Sequence, residues 1–144
     1  MSSWTEIEAE KAFAAATRAR LRASLTRRLR GCAGACARLA VHDERTLGSE
    51  RSGAGLGLRE IPLDAISGTV EPNRAAQFDR DFRPAAPARA RWQSVWMAEQ
   101  RGTALPPISV VAVGDAYAVR DGHHRVSVAR ARGALAIDAI VAAA

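Results

Sequence analysis

Cysteine, lysine and aromatic residues are all scarce in this chain, and each scarcity removes a class of protein. Two cysteines, Cys32 and Cys36, occur in 144 residues, too few for the disulfide framework of a small secreted domain. Nothing approaches the run of about 18 to 20 apolar residues that a membrane span needs. The first residues lack the basic region and continuous apolar core of a secretory signal, so a cytoplasmic location is the expectation. Cys32 and Cys36 lie one helical turn apart with His42 beyond them. A closed metal site would need a fourth ligand, so no metal is expected, and the two cysteines read as small apolar side chains. Lysine appears once against 20 arginines, which with the heavy use of alanine points to a GC-rich genome. Aromatic residues make up 5% of the chain, and none lies among the arginines between positions 18 and 30. That excludes a base-stacking platform there.

What is present is ordinary for a globular protein: 48% hydrophobic and 25% charged residues. The length suits one modest domain with an extension. The net charge of +6 is unevenly placed. Lys11 to Val41 carries eight basic residues and no acid, whereas residues 58–144 carry 11 basic and nine acidic side chains. Three parts follow: an Arg-rich amphipathic helical extension over residues 1–45, a Gly-rich linker over 46–57, and a folded domain over 58–144. Ser3 and Glu6 have the spacing of a capping box. Leu21, Leu25, Leu29, Cys32, Cys36 and Leu39 recur at three- and four-residue steps as one apolar stripe. Gly31 and Gly34 suggest one long helix or two shorter ones. Its arginines, with Arg18, Arg22, Arg27 and Arg28 as candidate nucleic-acid contacts, fit phosphate-backbone binding, an anionic membrane surface, or a solvated face whose stripe packs on the rest of the chain. The last is favoured, with nucleic acid next. Trp4 and the leucines need cover, so self-association into a homo-oligomer stays open.

In the second part, residues 61–66 read as a strand followed by a turn, and residues 67–72 as another extended piece. Residues 73–87 form a polar stretch holding Phe78, Phe82 and Arg74, either a short helix or a loop lining a site. A helix follows from Pro87 to about Arg101, with Trp92, Val95 and Trp96 on its buried face and Gly102 as its stop. Ile108–Val113 is a β-branched strand. Gly114-Asp115 turns it into a hairpin that returns through Tyr117–Arg120. A helix to Arg132 is stopped by Gly133, and Ile137–Val141 is a last strand. This is an α+β pattern with a mixed sheet.

Between the hairpin and the last helix lies Asp121-Gly122-His123-His124-Arg125. A strand, a glycine turn and a helix start aim free N–H groups and the positive end of the helix dipole at one spot. That spot suits a phosphate. Gly122 permits close backbone approach, Arg125 can grip phosphate oxygens in a bidentate fork, and the histidines can donate hydrogen bonds or move protons.

These residues, with Ile61-Pro62-Leu63-Asp64-x-Ile66 and Leu105-Pro106-Pro107-Ile108, resemble the ParB/sulfiredoxin superfamily over about Arg59 to Val141, specifically its ParB N-terminal-like members. The resemblance implies a small α/β fold whose Gly-x-x-Arg turn holds the phosphates of a nucleotide (ATP, ADP or CTP), with Mg²⁺ as a candidate companion. It assigns Asp121, Gly122, His123, His124 and Arg125 to that nucleotide. ParB proteins proper add a helix-turn-helix reader after this domain, and none is recognised here. Sulfiredoxin-like members carry a cysteine in the turn, where this chain has His123. ParB-like free serine kinases carry a similar Asp-Gly-His-x-Arg turn and a glutamate after the first strand, for which Glu71 is the nearest candidate. The whole pattern looks most like bacterial ParB-like proteins. The expectation is therefore a nucleotide-binding regulatory or nucleic-acid-associated module. The alternative is a phosphotransferase or nuclease-type enzyme in which Glu71 and His124 do the chemistry.

Overall fold

The computed structural model describes residues 3–32, 37–44 and 57–142. The Gly/Ser-rich stretch expected as a linker lies, apart from Gly57, outside them, as do Gly34 and Cys36.

The first helix, α1 (Trp4–Leu29), is continuous. Its capping box forms as the sequence implies: Glu6 N–H donates to Ser3 Oγ at 3.2 Å and Ser3 N–H donates to Glu6 Oε2 at 2.7 Å. Ser3→Ala is expected to cost about 1 kcal/mol, read as a lower urea midpoint with an unchanged slope. Gly31 falls past the helix end with φ +74° and so does not interrupt it. Cys32 is disulfide-bonded, a cross-linked sulfur in place of the free apolar side chain expected there.

The face that packs is not the leucine stripe. Leu21, Leu25 and Leu29 are 62, 59 and 89% exposed, whereas Ala9 and Phe13 are buried. Phe13 meets the buried Trp92 edge-on, with ring centroids 5.5 Å apart. Trp92 belongs to α3 (Arg89–Gln100) and donates its Nε1–H to Ser127 Oγ of α4 (His123–Ala131) at 2.9 Å. One indole therefore joins three helices.

The sheet behind these helices has the order β1-β3-β5-β4-β6-β2. Its strands are β1 (Ala40–Val41), β2 (Gly57–Pro62), β3 (Ile66–Thr69), β4 (Ile108–Val113), β5 (Ala116–Asp121) and β6 (Ala136–Ala142). The β4–β5 pair is the expected antiparallel hairpin, closing at Val113 and Ala116. After α4 the chain returns as β6, parallel to β4, and β2 covers its far side antiparallel. β3 pairs parallel with β5, and β1 extends that edge. The fold is α+β with a mixed sheet and an N-terminal helix, as the element pattern implies. The buried strand residues Ile108, Val110, Val119 and Val141 join Val126 of α4, Phe78 and Phe82 in the main core.

Phe78 and Phe82 come from the polar stretch, which is a short helix, α2 (Pro72–Ala75), running into an ordered loop. Asp79, 2% exposed, organises that loop. Its Oδ1 accepts the N–H groups of Asp81 and Arg83, both at 2.9 Å, and its Oδ2 lies 3.3 Å from Arg27 Nη2 and 3.4 Å from Arg83 Nη1. A buried carboxylate is retained only with such partners. The last turns of α1 are thereby tied to the loop that carries the two phenylalanines.

Candidate functional site

Gly122 follows β5 and is the N-cap residue of α4, at φ +110° and ψ +24°. No other residue fits. A Cβ there would stand 2.4 Å from Ile108 Cγ2 and 2.8 Å from Ile108 Cβ. The strand can then turn into the helix with its backbone against β4. The first intrahelical bond is Val126 N–H to Gly122 carbonyl at 3.0 Å, so the amides of His123, His124 and Arg125 belong to the donor-rich first turn.

Beside that turn is a cavity of about 230 Å³, lined by the turn itself together with Arg74, Arg91, Val95, Leu105 and Pro106. Arg74 arrives from α2 and Arg91 from the first turn of α3. Three arginines therefore share the lining of one small space. A second cavity of about 470 Å³ lies across the wall made by Leu105, Pro106 and Arg125, and it holds Glu60, Glu99 and Asp138 together with Arg132.

The expected residues divide by role. Arg125, 15% exposed, hydrogen-bonds the carbonyls of Pro106 and Pro107 (the latter at 3.1 Å) and pairs with Asp121 Oδ2 at 3.1 Å. It builds the cavity wall as well as lending charge. Asp121 does not cap the helix; its carboxylate steadies Arg125. His123 is buried, and its Nε2 lies 2.6 Å from Thr69 Oγ1. That hydroxyl accepts Glu71 N–H at 2.9 Å and also lies 3.1 Å from the Val119 carbonyl. The ring nitrogen is thereby committed to the Thr69 hydroxyl in either tautomer. His124 lines the cavity with its ring edge-on to Phe78, centroids 5.2 Å apart.

Burial pushes both histidines down to about 4, aided by positive charge nearby: Arg74 and then His124 for His123, Arg91 and then Arg74 for His124. Asp121 opposes the shift of His123. The two rings are neutral at neutral pH, so the arginines, not the histidines, carry the positive potential here.

Other sequence candidates lie elsewhere. Glu71 is exposed at the N-cap of α2 and is not among the residues lining the cavity; only its backbone joins, through Thr69. Arg18, Arg22 and Arg28 are exposed on α1 and do not line the cavity. Arg27 is held by Asp79 instead of being free for nucleic acid. Among the described residues no group of three or more His, Cys, Asp or Glu could hold a metal ion, and no helix is long and apolar enough to cross a membrane.

Thr69, Arg74 and Arg91 are the additions that reading the sequence did not assign to the site. Arg74 had a signal, since it stands in the polar stretch before α3. Arg91 had none, being one helical arginine among several until the fold turns it toward Gly122.

No protein-family model matches the chain, and no curated protein matches it significantly. Among solved structures it is similar to a sulfiredoxin from Arabidopsis thaliana, with a TM-score of 0.42 and 19% identity, covering 60% of this chain and 85% of that one.

Proposed function

We propose that the chain binds the phosphate groups of a nucleotide in the cavity formed by Arg74, Arg91, Arg125 and the start of α4, and that it acts as a regulatory module. The observation that carries this reading is that three arginines from three separate elements line one cavity at a helix start. Arginine forks and first-turn amides are both phosphate-binding devices. At about 230 Å³ the cavity is smaller than the roughly 300 to 1,000 Å³ of sites that enclose a whole drug-sized ligand. It suits a di- or triphosphate, with the nucleoside lying outside.

Melting curves with ATP, ADP, CTP and GTP, with and without Mg²⁺, test this directly. A ligand at 100 times its Kd stabilises by about 2.7 kcal/mol. Arg91→Ala removes an exposed cation and should leave the unliganded melting temperature nearly unchanged. It should weaken binding roughly tenfold to a hundredfold, the value of one charge-assisted contact. If none of the four nucleotides shifts the melting temperature, the reading fails.

An enzymatic role as a phosphotransferase or nuclease has less support. Glu71 lies off the cavity and His123 is committed to Thr69, which leaves His124 as the base. Turnover of labelled ATP that disappears in His124→Gln would favour it. A nucleic-acid role for α1 is weakened too, because its free arginines alternate with exposed leucines.

A further inference from the structure

The face of α1 turned away from α3 is apolar at both ends. Trp4 is 80% exposed at one end, and Leu21, Leu25 and Leu29 are 62, 59 and 89% exposed at the other. Trp4, Ile7, Lys11, Ala14, Arg18, Leu21 and Leu25 fall on a single seam of alternating three- and four-residue steps, apolar at both ends and charged at Lys11 and Arg18. That is the spacing of a coiled-coil contact. Phe13 on the opposite face is already packed on Trp92, so the seam is available while the chain is fully folded.

Charge along the helix names the occupant. The first three turns carry Glu6, Glu8 and Glu10 against the single Lys11, and the later turns carry Arg18, Arg22 and Arg28 with no acid. A parallel copy would set like against like. An antiparallel copy sets the acidic first turns against the basic later ones. Pairing Ile7 with Leu25 across the axis puts Trp4 beside Arg28 and Leu29, and Ala14 beside Arg18. Glu8 then flanks the seam opposite Arg22, and two-fold symmetry makes that contact twice. An anionic bilayer or a nucleic-acid backbone would repel the three glutamates and fit only half the helix. We propose that α1 pairs antiparallel with α1 of a second copy of this chain, over the roughly 39 Å length of a 26-residue helix, with Glu8 of each copy facing Arg22 of the other.

Sedimentation equilibrium on the full chain should give twice its 15.3 kDa at high micromolar concentration. Leu21→Glu with Leu25→Glu should return it to monomer. The decisive arm uses charge. Glu8→Arg alone and Arg22→Glu alone place like charges across the seam twice, and each should weaken self-association about tenfold. An equimolar mixture of these two single variants restores both opposite-charge contacts and should form a heterodimer tighter than either variant alone. Both residues are exposed, so this arm stays readable if the leucine variant misfolds. A monomeric wild-type chain, or a mixture no tighter than its components, overturns the proposal. So does a monomer that binds phosphatidylserine vesicles or duplex DNA through α1.

Discussion

Gly122→Ala is expected to destabilise the fold by roughly 2 to 6 kcal/mol, and two costs add. An L-residue at φ +110° sits in sparsely populated backbone space, at about 1 to 3 kcal/mol. The new methyl group would stand 2.4 Å from Ile108 Cγ2, and Ile108 is itself 1% exposed in the main core. Over-packing of that kind costs about 1 to 3 kcal/mol. Natural domains have about 5 to 15 kcal/mol in all, so the melting temperature should fall by roughly 10 °C. Gly133→Ala separates the two costs. Gly133 has φ +77°, but a Cβ there meets nothing within 4 Å, so it carries the backbone cost alone. Urea unfolding of both variants checks the argument. A Gly122→Ala variant no worse than Gly133→Ala would mean that β4 yields, and the close approach would not be what demands glycine. The substitution should also abolish nucleotide-induced stabilisation, because shifting β4 from α4 displaces the first-turn amides and Arg125 together.

The backbone of the site was legible because each of its parts is a local device. The β-branched run of β4, the two-residue turn, Gly122, and the glycines after α3 and α4 each act within a few residues, and the elements form where those signals stand. Which residues meet across the fold was not legible. Arg27 and Asp79 are 52 positions apart, and nothing in either neighbourhood marks the pair. The leucine stripe of α1 shows the limit of periodicity. Spacing reveals that a helix has an apolar face, but α1 has two. The packed one is chosen by the aromatic contact of Phe13 with Trp92, not by the longer row of leucines. Cavity charge followed the same logic. Asp121 to Arg125 are neighbours in sequence, whereas Arg74 and Arg91 reach the turn only through the placement of α2 and α3. The histidines read as proton-bearing hands on a ligand until burial and those arginines made them neutral.

Those neutral histidines make the protein sensitive to mild acid, and the sign follows from the shift. His123 and His124 fall to about 4 in the fold from 6.5 when free. Below pH 6.5 the unfolded chain takes up protons that the folded chain refuses, so stability is complete above that value and drains as the pH falls toward 4. Each ring loses about 1.4 kcal/mol per pH unit inside the window. Between pH 7 and pH 5 the pair should remove about 3 to 4 kcal/mol. Carboxylate protonation becomes important lower down, so pH 5 to 7 is the diagnostic range. Urea unfolding at half-unit steps should show this slope, and His124→Leu should flatten it by about half. A bound phosphate changes the balance again. Its negative charge opposes Arg74 and Arg91 at the rings, raises both histidines toward their free value, and couples binding to proton uptake. Affinity should rise as the pH drops from 7 to 6, and calorimetry in buffers of different ionisation enthalpy would read the protons taken up. A wild-type stability that stays flat between pH 7 and pH 5 would show that the rings are not held neutral, and the electrostatic account of the cavity would go with it.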